Sequence, residues 1–150
     1  MPSRFDRPTL HSERNPQNPR VFGGAHAGSG GIEPKLIAAT PPAIGNPDFK
    51  LGIHGGLGGA KAILAVAGSA AAPGTVIRGV TVHIAPSPAP KQIALHLTGA
   101  GPGGGFATVK RGVPNRPSLV GQSFFVQWFV KDPGASQGWA ATSAAELSVF

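Results

Sequence analysis

The sequence predicts an all-β protein: a two-sheet antiparallel sandwich, jelly-roll or immunoglobulin-like, of about eight strands behind an extended N-terminal arm. Three observations carry that expectation. Apolar residues recur with a period of two in Phe49, Leu51 and Ile53, in Val80, Val82 and Ile84, and in Ile93, Leu95 and Leu97, so one face of each run points inward. Between such runs lie GNPD, HGGLGG, AAPG, APSPAP, GAGPGGG and KDPGASQG, clusters that no helix tolerates. No stretch shows a helical apolar period between caps, and no internal repeat is evident.

Taken in order, residues 1–31 read as the arm and residues 32–150 as the sandwich domain. Pro2, Pro8, Pro16 and Pro19 forbid helix, apolar residues are sparse, and GGAHAGSGG closes the segment as a flexible joint. An arm of this kind needs something to hold it. Val21 and Phe22 are its expected apolar anchors, docking on another copy of the chain or on a partner β-domain at a sheet edge. Strands are expected at 35–39, 49–54, 60–67, 76–84, 92–98, 106–110, 123–130 and 145–150. The strand at 123–130 is apolar on both faces. Phe124, Val126, Trp128 and Val130 share one side; Phe125, Gln127 and Phe129 share the other, which needs separate cover from a loop, the arm or another subunit. The expected core is therefore Phe49, Leu51, Ile53, Val82, Leu95, Leu97, Phe124, Val126 and Trp128.

Composition bounds the chemistry. A chain of 150 residues fits one domain able to bury a real core, and the absence of cysteine excludes disulfides, thiolate metal sites and a Cys nucleophile. The formal charge of +7 favours weak attraction to polyanions, but the basic residues are scattered and never run longer than Lys110-Arg111. A nucleic-acid footprint is denser than this. No export signal is expected from MPSRFDRPTL, which has no apolar h-region, and no apolar run approaches the length of a bilayer span.

Several short motifs imitate active sites. GASQG at 134–138 matches the nucleophile elbow around Ser136, and HGG at His54 imitates an oxyanion loop, but an elbow needs a helix after the Ser and an acid and a His further on. Ser136 reads as a turn residue. GAGPGG at 99–104 satisfies a dinucleotide fingerprint, yet Pro102 and more glycine follow where a helix must begin, so a long hairpin loop is expected. GGLGGAK around Lys61 lacks the Gly before Lys and the Ser or Thr after it. His54, His83 and His96 fall opposite the apolar positions and are expected outward; a cross-strand His83 and His96 pair is the one arrangement that could reach a metal. Asp48 and Asp132, next to prolines, read as turn formers. No catalytic residue, metal or cofactor is expected. Trp139, in a Gly-rich loop, is the expected ligand contact, since an exposed aromatic can stack on a glycan.

The segments PPAIGNPDFKLGIHG, AILAVAGS, PNRPSLVGQSFFVQWFVKDPG and SAAELSV together resemble an uncharacterised β-sandwich module found mainly at the C-terminal end of large secreted or surface proteins of environmental bacteria. The resemblance covers about residues 22–150. It implies a non-catalytic domain in an extracellular or cell-surface setting, either a stand-alone variant or the end of a longer product. Members of that group often carry a Cys near the position of His26 and another near Val80 to Val82, as if bridged; both are absent here.

The leading expectation is a non-enzymatic structural or adhesive subunit, self-assembling through its arm into a filament or surface layer. One alternative is a module that binds carbohydrate or another surface ligand. The other is a coat protein whose arm touches nucleic acid, for which Arg4, Arg7, Arg14 and Arg20 against Asp6 and Glu13 give a small positive excess.

Overall fold

A computed structural model describes residues 19–38 and 42–150. Most of the segment expected to be the arm, residues 1–18 with Arg4, Arg7 and Arg14, lies outside the described residues, as does Ala39 at the end of the first expected strand. The described chain is all-β with antiparallel sheets. In order the strands are β1 (Arg20–Phe22), β2 (Lys35–Ala38), β3 (Lys50–Gly56), β4 (Lys61–Ala67), β5 (Ala70–Ile77), β6 (Val80–Ile84), β7 (Lys91–His96), β8 (Gly105–Lys110), β9 (Ser123–Lys131), β10 (Trp139–Ala141) and β11 (Ala144–Ser148).

The main sheet runs β1-β11-β9-β4-β7, with β10 also paired to β9; a second sheet runs β2-β3-β8, and β5 and β6 form a separate hairpin. The chain passes between the two sheets at glycines. At the crossing from β7 to β8, Thr98 and Phe106 pair across the GAGPGGG loop, confirming it as a hairpin loop. Gly99 sits there at φ +100°, its α-carbon pressed so close to the Gly104 carbonyl that a side chain has no room.

The core forms where β9 and β4 of the main sheet face β3 and β8. Phe49, Leu51, Ile53, Leu97, Val126 and Trp128 are buried there, with Leu95 and Phe124 half-buried against them. Alternation put them there: Leu64 and Trp128 are cross-strand partners on the inner face of the β4–β9 pair. Each such side chain removed from water contributes about 1.5–3 kcal/mol.

The far side of β9 finds its cover within the same chain. The β5–β6 hairpin lies over it, closing a second apolar cluster of Ala65, Ala67, Ile84 and Ala144 with Phe22, Val82, Phe125 and Phe129 packed around it. Gln127 is fully buried in this layer. Its Nε2 donates to the carbonyls of Thr81 (3.0 Å) and Thr142 (2.9 Å), and its Oε1 accepts the His83 N–H (2.9 Å). One amide thus latches the hairpin to the sheet, every group satisfied.

The expected strand 76–84 is corrected to a hairpin. Arg78 (φ 52°) and Gly79 (φ 82°) form a two-residue turn that pairs Ile77 with Val80, so the run is two strands folded back on each other. Positive φ at both positions is the type I′ pattern, whose usual sequence is Asn-Gly or Asp-Gly. Arg in the first place hides the signal. The short strands β1 and β10 and most of β5 also escaped the periodicity, β5 because Ala70, Ala71, Ala72, Pro73 and Gly74 carry no alternation.

Candidate functional site

The hairpin that covers β9 does not seal onto it completely. Between β5–β6 and the outer face of β4 and β9 lies an open cleft of about 390 Å³. Ile63, Ile77, Val82, Phe129 and Trp139 line it, Pro86 and Pro90 of the β6–β7 connection close one side, and the polar side chains in its wall are Arg78 and Gln92. The geometry follows from the turn. Gly79 abuts Gln137, where an added Cβ would lie 2.9 Å from that side chain, so the hairpin tip rests on the loop leading into β10. Trp139 is the first residue of β10 and pairs with Lys131, which sets its ring at the cleft mouth; the Arg78 guanidinium lies 6.0 Å from the ring centroid. The sequence-expected contact residue therefore lies at a cleft, but the lining offers few of the hydrogen-bonding groups that sugar hydroxyls require. A smaller hollow of about 280 Å³, walled by Leu51, Val66, Ile93 and Phe124 with Arg111 beside it, lies on the opposite side of β4.

The second candidate is the seat of the arm. β1 pairs with β11 through Arg20↔Glu146, Val21↔Ala145 and Phe22↔Ala144, forming one margin of the main sheet. Phe22 makes edge-to-face contacts with Phe125 and His83, each with ring centroids 6.3 Å apart. Val21 points away, 59% exposed. Arg20 pairs with Glu146 (2.7 Å) and its guanidinium carbon sits 4.7 Å from the Phe22 ring centroid. His83 Nε2 donates to the Gly24 carbonyl (2.9 Å), and His26 exchanges backbone hydrogen bonds with Ala141, extending the seat toward β10. Of the two expected anchors, Phe22 is thus seated and Val21 is free, and the docking surface is the chain's own β11. Arg20, counted toward a basic arm, is committed to Glu146.

His83 and His96, which the sequence allowed as a cross-strand pair, are not strand partners. His83 lies on β6, while His96 lies on β7, opposite Lys61 of β4. His54 and His96 are exposed as their parity implied, whereas His83 is half-buried against Phe22. Among the described residues no group of three or more His, Asp or Glu side chains could hold a metal ion.

The GASQG loop holds one feature that sequence reasoning missed. His26 Nε2 lies 3.0 Å from Ser136 Oγ, brought there by the His26–Ala141 pairing and not by the local sequence. A Ser–His pair is two thirds of a triad, and triads are recognised by geometry. The third part is not supplied: among the described residues His26 has no carboxylate partner, and both Asp132 oxygens are engaged elsewhere. Asp132 accepts from the Ser29 N–H (2.7 Å), the Gly134 N–H (2.8 Å) and the Ser29 hydroxyl. Burial pushes its carboxyl up, and the three donors outweigh burial to hold it below the usual carboxylate range. Asp132 is a turn former, as expected, and also the clasp between the β9–β10 loop and the segment after β1. Asp48 forms its expected turn, its N–H accepted by Asn46 Oδ1, and pairs with Lys110 at 2.8 Å.

Among the described residues no helix is long and apolar enough to cross a membrane. No family model matches the chain, and neither a curated protein nor a solved structure matches it.

Proposed function

We propose that this chain is a non-enzymatic structural or adhesive β-sandwich subunit of the cell surface or extracellular space, joining copies of itself by exchange of β1. One observation carries the reading: the seat of β1 is a ready-made strand acceptor. Without β1, the outer edge of β11 presents unpaired backbone groups, and the Phe125 and His83 rings lose the side chain that fits between them. The occupant is short and lies at the margin of the sheet, with Gly23 and Gly24 directly behind it. The same contacts arise when the strand comes from a neighbouring copy, so exchange between copies loses no bond. A tethered strand competes at an effective concentration of about the millimolar range, so exchange is favoured where copies are crowded, as on a surface.

The test compares the full chain with a chain lacking residues 1–24 and with Phe22→Ala, by light scattering and electron microscopy over a concentration series. Growth of the full chain into larger particles is expected, with both variants monomeric and unchanged in far-ultraviolet circular dichroism. An equal particle size in all three would refute the reading.

A further inference from the structure

We propose that the cleft beneath the β5–β6 hairpin is a binding site for a small amphipathic carboxylate, an aliphatic or aromatic acid whose apolar body lies against Trp139 and Phe129 and whose carboxylate meets Arg78. The volume, about 390 Å³, falls within the roughly 300–1,000 Å³ of small-molecule sites and suits a compact ligand. The walls are apolar and contain one charged side chain, Arg78, with no acid among the described lining residues. Glu146 is engaged by Arg20 and Asp48 by Lys110, and Arg78 has no carboxylate partner among the described residues. An unpaired guanidinium at the mouth of an apolar space matches a carboxylate head, which it can hold through two parallel hydrogen bonds.

The backbone supplies an independent argument. Arg78 is the one non-glycine residue of the described chain at positive φ, and it occupies a turn position that Asn, Asp or Gly fills at lower cost. Strain held at one residue points to use of its side chain. The ring beneath that side chain is Trp139, and Ile77, next to Arg78, is 42% exposed at the rim. Among the lining side chains a neutral sugar finds only Arg78, Gln92 and the Trp139 indole N–H to satisfy its hydroxyls, and an ammonium ligand meets like charge.

The experiment uses the full chain and tryptophan emission. There are two tryptophans, and Trp128 is fully buried in the core, so a ligand-dependent change reports Trp139. Octanoate, 1-octanol and octylammonium are titrated as probes, with amide and methyl chemical shifts followed in parallel. Octanoate is expected to shift Trp139 emission and the resonances of Ile63, Ile77, Val82 and Phe129, binding at least ten-fold more tightly than 1-octanol, with octylammonium weaker still. Arg78→Gly, which suits the turn and keeps the hairpin, is expected to weaken octanoate at least ten-fold and erase its advantage over 1-octanol. Trp139→Ala is expected to weaken both. Equal affinity for octanoate and 1-octanol, or undiminished octanoate binding by Arg78→Gly, overturns the assignment. So does an emission change that follows protein concentration alone with a doubling of mass, which would place a second copy in the cleft.

Discussion

Gln127→Leu tests whether the hairpin is held by the single buried amide described above. The substitution leaves a bulky apolar side chain, branched one carbon earlier, and orphans three backbone groups: the Thr142 carbonyl, which is buried, and the Thr81 carbonyl and His83 N–H, which are partly so. A fully buried orphan costs about 1–3 kcal/mol, and each partly buried bond about 0.5–1.5 kcal/mol. The added apolar surface of leucine returns about 1 kcal/mol. The expected net loss is about 3 kcal/mol, a fall in melting temperature of about 6–12 °C for a domain of this size. Urea denaturation gives the free energy, and hydrogen exchange gives its location: the His83 amide should lose protection before the amides of β4 and β9. A change below about 0.5 kcal/mol with His83 protection intact would show that apolar packing alone seats the hairpin.

Other outcomes follow from neighbouring features. Trp128→Ala, at a fully buried site, should cost about 3–5 kcal/mol in denaturant unfolding. Trp128→Phe should cost less than its volume change implies, because the Trp128 Nε1–H is buried without a partner among the described residues and phenylalanine removes that donor. The Asp132 carboxyl is lowered on folding, so its stabilisation is complete above the unfolded value of about 4 and is lost as pH falls through the folded one. Melting temperature against pH should therefore drop less steeply below about pH 4 in Asp132→Asn, which should also be less stable at pH 7; parallel curves would contradict the clasp. Gly79→Ala should destabilise by about 1–2 kcal/mol through its positive φ, with the hairpin amides exchanging first.

Period-two patterning was enough to locate both sides of the main core, because a strand with one buried face writes that face into alternate positions. Phe49 just before β3, Leu51 and Ile53 within it, and Val126 and Trp128 of β9 show this directly. The same logic revealed that Phe125 and Phe129 needed a cover, but what covers them was not legible. The hairpin tip is Arg-Gly, whose arginine masks the turn, and the arm is held through long-range pairings of Arg20 and His26 that no local pattern encodes. Trp139 could be singled out as an aromatic beside a glycine-rich turn, and the structure places it half-buried at the start of β10. Its partner Arg78 could not, since the two are brought together only by the fold of the hairpin over the sheet. Gln127 was visible as a lone amide in an apolar strand, and a buried amide there had to find partners.

The excursion from β4 to β7 leaves and rejoins the main sheet at neighbouring points, for Val66 and Lys91 are cross-strand partners. Residues 68–90 can therefore lengthen, shorten or change sequence without altering the order in which the remaining strands are stitched together. Whatever replaces them must still shield Phe125 and Phe129 and offer backbone partners to the buried Gln127 amide. Such a segment is a replaceable lid on a constant frame, free to acquire a different specificity while the two-sheet body beneath it stays the same.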